Sequence, residues 1–70
     1  MIINLYGPRK TLAYLASTIL DDANVESYEV HRDVENAGYA YITCNDDLTI
    51  ATYEEIESAP GVTYEVEEAA

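Results

Sequence analysis

The chain has 70 residues, with 14 acids against three bases and a formal net charge of −11. A chain this short holds one domain with a marginal core, because it buries only roughly 60% of the surface exposed when unfolded. Its single cysteine excludes an internal disulfide. The scarcity of Lys and Arg argues against direct binding to nucleic acid or anionic membranes, both of which rest on cations.

Residues 1–70 read as a single acidic α+β domain without linker or repeat. Met1 to Tyr6 alternates as a strand, with Ile3 and Leu5 pointing one way and Ile2, Asn4 and Tyr6 the other. Gly7-Pro8 ends it, and Pro8 suits the start of a helix, where a missing N–H costs nothing. From Arg9 to about Asp22, Leu12, Leu15, Ala16, Ile19 and Leu20 form an amphipathic stripe, with Asn24 as its stop. Val25 to Val34 alternates Tyr28, Val30, Arg32 and Val34 against Glu29, His31, Asp33 and Glu35. Asn36-Ala37-Gly38 supplies turn chemistry, and Tyr39 to Cys44 alternates again, so the two runs predict a hairpin.

Asn45-Asp46-Asp47 reads as a loop or cap and lacks the spaced ligands of a calcium loop. Thr52-x-x-Glu55 matches a capping box, followed by Tyr53, Ile56 and Ala59 at helical spacing. Pro60-Gly61 stops that helix, and Val62 to Glu67 alternates as a last strand. The order β-α-β-β-α-β predicts a ferredoxin-like sandwich, a four-stranded antiparallel sheet with two helices on one face. Residues 48–54 also fit a strand paired with 39–44, which would give a one-helix α+β meander instead.

The sandwich puts Ile3, Leu5, Ala40, Ile42 and Cys44 under the helices. Its open face then shows Asn4, Tyr6, Tyr39, Tyr41, Glu29, His31 and Asp33. Aromatics on central strands resemble the RNA-recognition layout in position, but the accompanying bases and glycine-aromatic signature are missing. Alternate residues on one strand lie roughly 6.7 Å apart, so Glu29, His31 and Asp33 could not all ligate one metal without bending the strand. No nucleophile motif, glycine-rich phosphate loop or zinc-protease signature occurs. Neither catalysis nor a cofactor or metal is expected.

The carboxylates remain. Residues 36–70 hold eight acids and no base, and the chain's aromatics are seven Tyr with neither Phe nor Trp. Self-repulsion of that density weakens a small domain, and a basic partner would offset it. Asp46, Asp47, Glu54, Glu55, Glu57, Glu65, Glu67 and Glu68 are the candidate charges, and Tyr39, Tyr41 and Tyr53 the candidate anchors. In size, acidity and Tyr-carboxylate composition the whole chain resembles the small acidic inhibitors that phages and mobile elements direct at host nucleic-acid enzymes. These include DNA-mimicking anti-restriction proteins, uracil-DNA glycosylase inhibitors and anti-CRISPR proteins.

The resemblance implies a non-catalytic inhibitor seated in the basic groove of a defence or DNA-processing protein. The class spans many folds, so it assigns no residue a role, and the neighbouring bases Arg9 and Lys10 depart from an all-acid mimic. A homodimeric ferredoxin-like assembly or ligand-sensing module is the alternative, and a halophilic surface would also account for the acids. Lacking a leader-like start or an apolar run long enough for a bilayer, with an unpaired Cys44, the chain is expected in the cytoplasm, that of the host bacterium if phage-encoded.

Overall fold

The computed structural model describes residues 1–32 and 37–67. Asp33, Val34, Glu35 and Asn36 of the predicted hairpin, and Glu68 of the candidate site, lie outside the described residues. In chain order the elements are β1 (Ile2–Pro8), α1 (Arg9–Tyr14), α2 (Ala16–Asp21), β2 (Val25–Arg32), β3 (Ala37–Cys44), α3 (Ile50–Ser58) and β4 (Thr63–Glu67). The strands form one four-stranded antiparallel sheet in the order β2-β3-β1-β4. None of the described helices is long and apolar enough to cross a membrane.

Pairing around β1 sorts the side chains. Ile3 faces Ile42 on one side and Val66 on the other, and Leu5 faces Ala40 and Tyr64. Tyr28 and Val30 of β2 continue these rows opposite Ile42 and Ala40. A register shift between Val25 and Ser27 adds one residue, so Val25 shares the helix-facing side with Tyr28. Ile3, Leu5, Ala40, Ile42 and Cys44 are buried, as the alternation predicts. Cys44 is a free, buried thiol, and its burial raises its pKa by disfavouring the thiolate.

The predicted first helix forms as two short segments joined at Leu15, which keeps helical dihedrals. Its N–H donates to the Thr11 carbonyl at 3.1 Å, and its own carbonyl accepts from Ile19 at 2.9 Å. Pro8 is the N-cap rather than the first helical residue. Leu12, Leu15 and Ile19 are buried as the stripe requires, but Leu20 is 56% exposed. At about 100° per residue, Leu20 falls a full step beyond Ile19 and off the core-facing side.

Residues 50–58 are helical, which overturns the one-helix meander. The capping box also moves. The N-cap is Thr49, whose hydroxyl oxygen accepts from the Thr52 N–H at 3.4 Å. Thr52 is buried inside the helix, and Glu55 is exposed. Leu48 just before the cap and Ile56 within the helix enter the core. The helix stops at a turn in which Pro60 and Gly61 occupy the two central positions, and the Val62 N–H donates to the Ala59 carbonyl at 3.4 Å. Gly61 has φ of 73°, the left-handed value that the third residue of a type II turn demands.

Gly38 shows why β3 starts earlier than the predicted Tyr39. It pairs with Gly7, and a Cβ there would lie 2.9 Å from the Leu12 side chain and 3.0 Å from the Arg9 Cα. Only glycine lets the start of α1 come this close to the sheet.

Asp22 ties the helical layer together. One carboxylate oxygen accepts the Asn24 N–H at 2.9 Å. The other accepts the Thr49 N–H at 3.0 Å, the Thr49 hydroxyl at 3.1 Å and the Thr52 hydroxyl at 2.7 Å. The end of α2 is thereby joined to the start of α3. Donation by Asn24, then Thr49, then Thr52 holds the carboxyl at about 2, below its ordinary 3.8.

Replacing Asp22 with Ala should cost about 2 kcal/mol in a urea melt, because it removes the acceptor of four hydrogen bonds, one of them from the buried Thr52 hydroxyl. Since the folded-state value lies below the unfolded one, Asp22's ionic contribution is present above about pH 4 and is lost as pH falls through about 2. The stability gap between wild type and Asp22→Ala should therefore narrow over that acid range. A gap that is unchanged between pH 4 and pH 2 would contradict the bonding scheme.

Candidate protein-interaction surface

The sheet presents two chemically different sides. Below the helices lies the core. On the open side, antiparallel register aligns His31, Tyr39, Tyr6 and Thr63 in one row across the strands, and Glu29, Tyr41, Asn4 and Glu65 in the next. Ring centroids are separated by 5.4 Å for Tyr6–Tyr39, 6.2 Å for Tyr39–Tyr41 and 5.4 Å for His31–Tyr41, the last pair stacked. The rings thus form one continuous aromatic patch across β2, β3 and β1.

Hydrogen bonds fix this patch unequally. The Tyr39 hydroxyl donates to the Asn4 side-chain oxygen at 2.5 Å, and the rings around Asn4 leave it only 6% exposed. Tyr41 donates to the exposed Glu29 carboxylate, whose oxygen also lies 3.8 Å from His31 Nε2. Tyr6 remains 41% exposed. Its phenol pKa is raised, first by loss of water and then by the negative fields of Glu65, Tyr39 and Glu67.

The helix side carries a second acidic region. An open groove of about 740 Å³ between α2 and α3 is lined by Asp21, Asp22, Glu54 and Glu55 together with small residues including Ser17, Thr18 and Thr49. Glu57, further along α3, accepts a long hydrogen bond of 3.4 Å from the Tyr64 hydroxyl.

The candidate residues therefore divide. Tyr39, Tyr41, Glu65 and Glu67 share the open sheet face, whereas Glu54, Glu55 and Glu57 stand on α3 across the sheet. Asp46 and Asp47 lie in the loop after β3. Asp46 accepts the Asp47 N–H at 2.8 Å, and Asp47 accepts the Leu48 N–H at 3.0 Å and the Tyr53 hydroxyl at 2.5 Å. Tyr53 packs on the core and beside Tyr64, 5.7 Å between centroids. Burial, then the bond to Asp47, raises its phenol pKa. These three residues hold a loop in shape, and the two aspartates carry charge as well.

Tyr6, His31 and Glu29 complete the sheet face, where the predicted alternation places them, although they are not among the candidate partner-binding residues. Which of them stand side by side follows from the β1–β3 and β2–β3 registers, which are non-local. Arg9 and Lys10 open α1, and Arg32 ends β2 opposite Gly38, all at the end of the sheet where Gly7 pairs with Gly38. Among the described residues the only ion pair is His31–Glu29.

Removing single hydroxyls separates the two kinds of bond. Tyr39→Phe deprives a buried acceptor of its donor and should cost about 1–2 kcal/mol in a denaturant melt. Tyr41→Phe frees an exposed carboxylate to water and should stay within about 0.5 kcal/mol of wild type. Equal effects would contradict this division of the patch.

Comparison with protein-family models, curated proteins and solved structures returned no match, so the reading of this surface rests on its own residues.

Proposed function

We propose that this is a non-catalytic protein-binding domain that docks its carboxylates against the basic groove of a nucleic-acid-binding protein. In this reading it excludes nucleic acid from that groove, as the small acidic anti-defence inhibitors do, on a ferredoxin-like scaffold. The strand order β2-β3-β1-β4 with helices over one face supports that scaffold. One observation carries the functional reading. The exposed acids of β4 and α3 have no cationic partner among the described residues, because the bases are gathered at one end of the sheet.

Unpaired carboxylates on a rigid frame repel one another and draw in a cationic surface over roughly a Debye length, about 10 Å at 0.1 M salt. Phosphates would meet the same field with the opposite result, so the partner is a protein. Rigid strands and a capped helix also fix the carboxylate positions before binding, which lowers the ordering cost of association.

The test is displacement of duplex DNA from a basic DNA-binding protein recovered on the immobilised domain. Affinity should fall about tenfold between roughly 50 and 200 mM salt. Charge reversal on β4 (Glu65→Lys with Glu67→Lys) or on α3 (Glu54→Lys with Glu55→Lys) should weaken displacement while circular dichroism remains unchanged. Full displacement by both reversed proteins would sink the reading.

A further inference from the structure

The open sheet face combines two features that select one kind of cation. Four rings, His31, Tyr41, Tyr39 and Tyr6, run unbroken from β2 to β1 at centroid spacings of 5.4 to 6.2 Å. Carboxylates border them on both edge strands, Glu29 on β2 and Glu65 and Glu67 on β4. Glu65 pairs in register with Asn4 and Glu67 with Ile2, one strand away from the tyrosines of β3.

A guanidinium is planar and weakly hydrated, so it lies flat on an aromatic face while its edge donates N–H groups to carboxylates. An ammonium is attracted by the rings as well, but it holds its water more tightly and has no planar fork. Rings bordered by acids on both sides offer the guanidinium both of its preferred contacts at once.

We propose that this face binds arginine side chains of a basic protein segment. Their guanidinium planes rest on Tyr6 and Tyr41, and their N–H groups donate to Glu29, Glu65 and Glu67. The proposal rests on the docking reading above and names its face and its partner chemistry. Nucleic-acid bases would also stack on tyrosine, but their phosphates would meet the carboxylate borders. A second copy of the chain would bring acids against acids, with His31 as the one described base on this face.

The probes are hexa-arginine and hexa-lysine peptides, followed by amide chemical-shift mapping of the intact chain at about 50 mM salt. Hexa-arginine should bind about fivefold more tightly than hexa-lysine, with the largest shifts in β1, β3 and β4. The pair Tyr6→Leu and Tyr41→Leu should abolish that preference, whereas Tyr6→Phe with Tyr41→Phe should keep it. Should the leucine variant lose its fold, Glu65→Gln with Glu67→Gln on the exposed edge strand serves instead and should weaken hexa-arginine binding about threefold. Equal affinity for the two peptides, or shifts confined to α3, overturns the arginine proposal and leaves the docking reading standing. A dimer that buries Tyr6 and Tyr41 and excludes hexa-arginine also overturns it. Failure of both peptides to bind overturns both readings.

Discussion

The register of β1 between β3 and β4 is the constraint from which the rest follows. Because side chains alternate across a strand, one choice of pairing settles both sides of the sheet together. With Leu5 opposite Ala40 and Tyr64, the aliphatic rows meet Leu12, Leu15, Ile19 and Ile56. The same pairing sets Tyr6 beside Tyr39 and Asn4 beside Tyr41 on the other side. A slip of one residue would expose the core and bury the tyrosines. The open face and the core are therefore not separable features of this chain, and a substitution that loosens one register disturbs both.

The second organising feature is where charge goes. Asp22 shows what a carboxylate does here when it serves the fold: it is 7% exposed and surrounded by N–H and hydroxyl donors. Glu54, Glu55, Glu65 and Glu67 are exposed and make no such bonds among the described residues. The two populations differ in cost as well. Asp22 offsets its own desolvation by accepting several hydrogen bonds, whereas the exposed acids add repulsion that falls with added salt. Acids that the fold does not use, on strands and a helix that hold them still, are what a cationic partner would meet.

Local patterns made most of the elements legible in the sequence. Alternation in 39–44, the stripe from Leu12 to Ile19 and the Pro60-Gly61 stop each depend on neighbours along the chain, and each is present in the structure. The failures share one physical origin, which is dependence on distant partners. Thr52-x-x-Glu55 fits a capping box, yet Asp22, nearly thirty residues upstream, draws Thr49 and Thr52 into a different cap. Asp22-x-Asn24 at the end of a helical stripe was the available signal for that role, since Asx residues cap through their own backbone. Leu48 is buried although its flanks are polar, and although alternation put Tyr6, Tyr41 and Glu29 on one face, their neighbours in each row follow only once three strands are aligned.

Whether the exposed carboxylates are truly uncompensated in the free protein is decided most directly by its urea midpoint as sodium chloride rises from about 10 to 200 mM. Unpaired acids repel less as the Debye length shrinks from about 30 Å to below 10 Å, so the midpoint should climb and then level off near the top of that range. A midpoint that stays flat or falls would mean the charges are already balanced within the fold, leaving no unmet demand for a basic partner.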